Sequence, residues 1–421
     1  METTTIDAAP SLGRRARLAR ALVVFGPGLM VMLADTDAGS IVTAAKSGAD
    51  WGYRLLPLEV LLIPVLYVVM EITVRLAATT GKGHAEAIRD TFGARWAAVS
   101  VGGLVISVTG ALITEFAGLA AVGGFVGIPP AVTVSLASAF LIGVVVTGGY
   151  RRVELIGLAL GTFEMAFLVA AVLAQPRLGA ITSSFWSHQP LGNRSYLMLV
   201  AANVGAVVMP WMIFYQQGAV INKGLREHQL NLERIDTGLG AVVTQLIMIA
   251  VLVVTAGTLN GHHSSSLGSI GQIASALTPY LGEFASHLTF AMGVTGAALL
   301  AALVVSLAAS WAVAEALGSR HSLDDRVRRA PLFYGIYTAS VATGAAVVLL
   351  AQRSLVTLSI DVEVLNALLL PMVIGFLAAL AWKALPTAHR LHRRERFVLT
   401  VVLVLVSFVG VSWIALALFP A

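Results

Sequence analysis

The chain has 421 residues, 57% hydrophobic and 12% charged, with a mean hydropathy of +0.86. Its apolar residues run in long stretches with little amphipathic alternation, which excludes a soluble globular domain and points to a polytopic membrane protein. The net charge of +5 does not argue for a nucleic-acid partner, because the basic residues are scattered over short loops without interleaved aromatics, and the lack of cysteine excludes disulfides and thiolate metal sites.

The apolar run after Arg20 outlasts the core of a signal peptide, so no cleaved leader is expected. Residues 1–20 read as a cytoplasmic segment and 21–421 as one transmembrane domain. A hydrocarbon core of ~30 Å needs about 20 residues per helix. On that measure spans are predicted at about 21–53 (interrupted), 55–77, 97–125, 131–149, 154–174, 196–222 (interrupted), 235–258, 285–317, 331–351, 359–382 and 397–419, eleven in all.

Lysine and arginine test that layout, since they collect in cytoplasmic loops. With the N-terminus inside, 22 of the 27 basic residues fall in cytoplasmic segments, while Arg54, Arg177, Arg194 and Arg353 fall outside and Lys46 within the first span. The asymmetry predicts a plasma-membrane protein with a cytoplasmic N-terminus and an external C-terminus. The external connection around 259–284 reads as flexible, with His262 and His263 solvated. No loop holds an ATPase domain, and "GKGHAEAIRDTFG" (81–93) lacks phosphate-loop spacing, so primary active transport is excluded and no ATPase subunit is expected.

Two spans carry breaker signals near their middles. In the first, "DAGS" (37–40) follows about sixteen helical residues, and Gly39 with Ser40 is expected to supply the non-helical backbone. In the sixth, "NVGAVVMPWM" (203–212) puts Pro210 at mid-span, where it lacks an N–H and crowds the preceding turn. Non-helical backbone at membrane depth is tolerated only where it is buried or lines a cavity. Broken helices at matching positions of two halves are the sequence sign of an inverted-repeat transporter with a midplane site. Asp35 and Asp37 sit at the first break, and an intramembrane carboxylate is by default a candidate functional group. Lys46 is too far along the helix to pair with Asp37 and is expected to pair with Asp50 at i+4. Glu71 is expected to pair with Arg75 in the same way. Glu164 and Glu315 read equally as gating or structural acids, and His84 and His228 as members of the basic cytoplasmic surface.

"GPGLMVMLADTDAGSIVTAAKSGADWGYRLL" (26–56) resembles the first span of the Nramp divalent-metal transporters, "TTGKGHAEAI" (79–88) resembles that family's loop after the second span, and "GAVVMP" (205–210) resembles its Met-Pro break. The resemblance implies an all-α LeuT-type fold, a five-plus-five inverted repeat with an eleventh helix. It further implies a metal site made by Asp37, Ser40, the carbonyl of Ala206, Met209 and, in the tenth span, Glu363. Ser40 stands where the family has asparagine, and Glu363 where it has glutamine. Leu112 replaces the aspartate three residues before Glu115 on the family's proton route, and Trp211 replaces a histidine. Asp35 is an additional acid, so Asp35 and Glu115 are the candidate proton relays, and Gly39, Pro210 and Trp211 the candidate gating residues.

The expected function is a secondary carrier of divalent cations, Mn²⁺ or Fe²⁺ before Mg²⁺ because a thioether prefers softer ions, with proton coupling doubtful and no cofactor besides the cargo. The alternatives are a Mg²⁺ or other cation carrier of the Nramp-related type and a non-transporting sensor on the same fold.

Overall fold

The computed structural model describes residues 26–176, 178–261, 267, 270–350 and 354–418, and is helical without strands among them. The predicted segment 1–20, His262, His263, Arg177 and Arg353 lie outside the described residues. Helices dominate because a chain in hydrocarbon must satisfy its own backbone N–H and C=O groups.

Among the described residues, nine stretches are long and apolar enough to cross a membrane. One, Ala38–Thr80, has 43 residues. As a single rod it would measure ~65 Å, twice the apolar core, and it turns at Gly52, whose φ of 59° is open mainly to glycine. It therefore supplies the end of one pass and the whole of the next. The eleven predicted passes each find a helix or a broken helix: α1 (Pro27–Asp35) with α2 (Ala38–Trp51), α3 (Leu56–Thr80), α5 (Ala94–Phe125), α6 (Pro130–Thr147), α7 (Tyr150–Gly161) with α8 (Met165–Leu173), α10 (Arg194–Val207) with α11 (Pro210–Asn222), α12 (Leu230–Thr258), α15 (Glu283–Ala316), α16 (Pro331–Leu350), α17 (Leu355–Lys383) and α18 (Arg393–Leu418). Between passes lie the short helices α4 (His84–Phe92), α9 (Leu178–Ser184), α13 (Ile270–Ser275) and α14 (Thr278–Leu281), none of them foreseen.

The main core draws its members from Met30 to Val406, and a smaller second cluster forms around Val74, Ala77 and Val220. At its centre are the broken first and sixth passes. α12 packs along α1, α2 and α3, α10 lies against α17, and α15 lies against α5 and α11. Close approach at that centre rests on small residues. A Cβ on Gly205 would collide with the backbone carbonyl of Glu363 across the α10–α17 contact, and one on Gly48 with the carbonyl of Leu252.

Two predicted ion pairs are present: Lys46 Nζ lies 2.9 Å from Asp50 Oδ2, and Arg75 Nη2 lies 2.9 Å from Glu71 Oε2. The N-terminus of α1 is held from a distance in sequence. Asp236 of α12 accepts the amide N–H groups of Gly26, Gly28 and Leu29 through one oxygen at 3.1, 2.8 and 3.2 Å. That carboxylate takes up three of the amides that a helix start leaves without intrahelical partners, and it sits at the positive end of the helix dipole.

Candidate metal site

The first break falls earlier than expected. α1 ends at Asp35, Thr36 and Asp37 are non-helical, and Gly39 and Ser40 already lie in the first turn of α2. The cause is capping chemistry: Asp37, in extended conformation, accepts the N–H of Ser40 through Oδ1 at 2.7 Å and so starts the helix at Ala38. Gly39 contributes room instead of flexibility. A Cβ there would sit 2.6 Å from Glu363 Oε1, 3.4 Å from Asp37 Oδ1 and 3.6 Å from Thr114 Oγ1. Three polar groups from α5, α17 and the break thus converge on a space that any side chain at position 39 would fill.

The second break, Val208–Met209, lies where Pro210 predicts it, with α11 starting at the proline. The i+4 partner of the Ala206 carbonyl would be the N–H of residue 210, which proline lacks, so that carbonyl is released from the helix ladder. The Ser40 hydroxyl donates to it at 3.2 Å and ties the two breaks together across 166 residues of sequence.

All the site residues read from the sequence are buried. Asp37, Ser40, Glu115, Met209 and Trp211 have no exposed surface, and Asp35, Ala206 and Glu363 have 1%. The site is closed to solvent from both sides. Asp37 Oδ2, Glu363 Oε1 and both oxygens of Asp35 make no hydrogen bond. Asp37, Glu59, Glu164 and Glu363 all lie close enough to Asp35 to repel it. The only described buried basic residues are Arg75 and His84, which belong to the arginine-rich end of the bundle. Carboxylates gathered in low dielectric without a basic partner are costly while charged, and either a proton or a cation relieves that cost. Among the described residues no three His, Asp or Glu side chains form a ready-made cage. The polar groups gathered at the breaks are of mixed kind: carboxylates, a hydroxyl and a released carbonyl, with the thioether of Met209 in the second break.

Several contacts of these residues were not read from the sequence. Glu115 accepts the N–H of Ala38 at 3.1 Å through Oε2 and the Thr114 hydroxyl at 3.2 Å through Oε1, which makes it a second anchor for the start of α2. Asn366 donates to Glu363 Oε2 at 3.0 Å and accepts the Ser107 hydroxyl at 2.6 Å, fixing the rotamer of Glu363 and leaving Oε1 toward the site. An asparagine at i+3 from a glutamate on a membrane-spanning helix was a readable signal. Trp211 donates its indole N–H to the sulfur of Met209 at 3.0 Å. The indole is therefore a fixed neighbour of the thioether. Leu112 is buried against Gly344 on α16, an apolar contact where a relay would need a polar one.

His84 is not part of a solvated surface. It is fully buried in α4, with Nδ1 2.6 Å from Gln217 Oε1 and its ring edge-on to Phe214. Burial lowers its pKa to about 4, so it is neutral at neutral pH. Glu315 also has a defined structural task, since it accepts the Ala85 N–H at 3.1 Å while its own carbonyl accepts Arg89 at 2.6 Å. Together these contacts press α4 against α11 and α15 and close that end of the bundle.

A family model described as natural resistance-associated macrophage protein-like matches residues 28–416. A divalent metal cation transporter MntH of Brucella suis is 25% identical over 373 residues, spanning 85% of this chain and 80% of that one. MntH of Agrobacterium fabrum is 28% identical over 292 residues, spanning 67% and 62%. Among solved structures, a manganese transporter of Eremococcus coleocola superposes with a TM-score of 0.78 at 17% identity over 98% of this chain and 91% of that one. A Na⁺-coupled sialic acid symporter superposes at 0.60 with 13% identity over 94% and 90%. At such identities the solved structures bear on the fold, which is of the LeuT type, two inverted five-pass repeats and an additional helix. Breaks five passes apart and a family match reaching from the first helix to the last lead to one assignment: the chain belongs to the Nramp family.

Proposed function

We propose that the chain is an integral membrane carrier for divalent metal cations, with residues 21–421 acting as one transporter domain and the ion held between the breaks of the first and sixth passes. The observation that carries this reading is the Ala206 carbonyl, freed by Pro210 and bridged to Ser40, beside the unpartnered oxygens of Asp37 and Glu363. Asp37, Glu363, Ala206 and Ser40 supply oxygen donors, and Met209 a thioether from the facing break. The thioether supports a preference for Mn²⁺ or Fe²⁺. Uptake into proteoliposomes tests the carrier reading, since a sensor would bind metal without moving it. Binding without saturable flux would overturn it.

A second reading, Mg²⁺ as cargo, is supported by the Trp211 N–H on the sulfur of Met209, which weakens the soft donor and leaves a hard oxygen set. Met209→Ala separates the two. For a soft-metal carrier it raises the KM for Mn²⁺ by about tenfold and leaves Mg²⁺ nearly unchanged, in the range seen when a shell around a metal is altered. Equal effects on both ions would count against the thioether as a ligand and favour the Mg²⁺ reading.

Proton coupling is weak or absent in this proposal. Glu115 is committed to the amide of Ala38, and Leu112 leaves an apolar gap beside it. A dication also has a driving force of its own, ~2.3 kcal/mol per charge for each 100 mV. A pH-sensitive dye enclosed with the protein is expected to report no stoichiometric acidification during metal uptake at clamped potential. Acidification that vanishes in Glu115→Gln or Asp35→Asn would overturn the uncoupled mechanism and identify the relay.

A further inference from the structure

Away from the broken helices, a cavity of about 420 Å³ opens between α3, α12 and α18. That volume is in the range of small-ligand sites. We propose that this groove binds one anionic glycerophospholipid, its headgroup phosphate on Arg234 and Arg394 and an acyl chain along Tyr67, Val68 and Val398.

The walls change chemistry along their length. Tyr67, Glu71 and Arg75 follow one another at i+4 on α3, so they share a face and span ~12 Å along the axis. Tyr67 and Val68 form its apolar end, and Arg75 lies five residues before the end of the helix. α18 repeats the order in reverse, with Arg394 and Glu395 in its first turn and Val398 deeper. α12 brings Arg234 to the same level from its second turn. By the distribution of basic residues this is the cytoplasmic end, so the groove passes from the headgroup region into the hydrocarbon. An amphipathic molecule of the inner leaflet has that profile.

The charges set the sign of the headgroup. Three arginines face two glutamates in the groove. Arg75 is spent on both acids: Nη2 lies 2.9 Å from Glu71 and 2.7 Å from Glu395, and Nε reaches Glu71 at 3.0 Å. Arg234 gives Nε to Glu71 at 2.7 Å and Nη1 to Asn231 at 3.3 Å, which leaves guanidinium donors free at a side chain 32% exposed. Arg394 is exposed and makes no ion pair among the described residues. The surplus is one positive charge with two guanidinium groups facing outward, and basic pockets between helices at the cytoplasmic side are suited to anionic headgroups. The neighbouring Arg393 and Arg396 reinforce the field. Metal has no place here, because the acids are saturated by arginine.

Delipidated full-length protein in detergent, titrated with phosphatidylglycerol or phosphatidylcholine and read by native mass spectrometry, tests the proposal. The expected result is one tightly held phosphatidylglycerol per chain, its affinity falling as salt rises, and phosphatidylcholine bound weakly and without salt dependence. Each positive charge near the headgroup is worth about fivefold, so Arg394→Glu, which removes one and adds a negative, weakens phosphatidylglycerol about thirtyfold and phosphatidylcholine hardly at all. Val68→Trp fills the apolar end and blocks both lipids, and a thermal melt of each variant verifies that it folds. Equal binding of the two lipids to the unmodified protein, or unchanged phosphatidylglycerol affinity in Arg394→Glu, would overturn the proposal. The salt series and Arg394→Glu decide it even if Val68→Trp does not fold.

Discussion

Asp37→Ala is expected to abolish saturable divalent-cation uptake, a loss of at least ~100-fold, since even changes one shell removed from a metal cost 10–100-fold. Two roles meet in this side chain, and they can be separated. One oxygen caps α2 through the Ser40 N–H, and alanine gives up that bond at a stability cost of ~1 kcal/mol. The other oxygen is buried without a hydrogen-bond partner and is the one that the proposed site assigns to the ion. Asp37→Asn keeps a capping oxygen and removes the charge. It should therefore melt like the parent protein while transporting as poorly as the alanine variant. Near-normal flux through either variant, measured with labelled metal in proteoliposomes, would rule out Asp37 as the anionic ligand.

Gly205→Ala is expected to impair both stability and uptake with a single methyl group. The added Cβ would overlap the backbone carbonyl of Glu363, and backbone cannot rotate away as the tip of a side chain can. α10 and α17 must then separate, which removes the register between Ala206 on one helix and Glu363 on the other. Overpacking of this kind destabilises by ~1–3 kcal/mol, and displacement of two donors together should lower uptake at least about tenfold. Gly143→Ala, whose Cβ would meet nothing within 4 Å, is the matched control and should change neither property. A Gly205→Ala protein that melts and transports like the control would mean that the two helices are not in this contact in the working protein.

The parts of the site legible in the sequence were those whose cause is local. Pro210 removes a backbone donor wherever it stands, so the second break and the release of the Ala206 carbonyl follow from one residue. Lys46 with Asp50 and Glu71 with Arg75 are set by helical spacing. The first break was placed three residues late because glycine was read as the breaker, whereas the aspartate before it does the work by capping. What stayed hidden depends on partners distant in sequence: Glu115 on the amide of Ala38, Asn366 between Ser107 and Glu363, Asp236 on the start of α1. His84 looked solvated because its neighbours in sequence are charged, yet the fold turns it inward against Gln217 and Phe214. The short helix that carries it has a polar sequence, and only its seat against α11 and α15 explains its burial.

The grip of Asp236 on α1 has a mechanical consequence. Three amide protons held by one carboxylate oxygen, with a Cβ on Gly28 only 2.8 Å from that oxygen, leave almost no slack between the half-helix and α12. The other end of the half-helix is tied to the same partner, since the Thr36 hydroxyl lies 2.6 Å from that of Thr244 on α12. The half-helix is therefore fastened to α12 at both ends. Any swing of this half-helix must either drag α12 along as a single body or tear the three amide bonds to Asp236 together with the Thr36–Thr244 contact. The first route loads the motion onto the long seventh pass, and the second makes the clamp a threshold for moving the half-helix by itself.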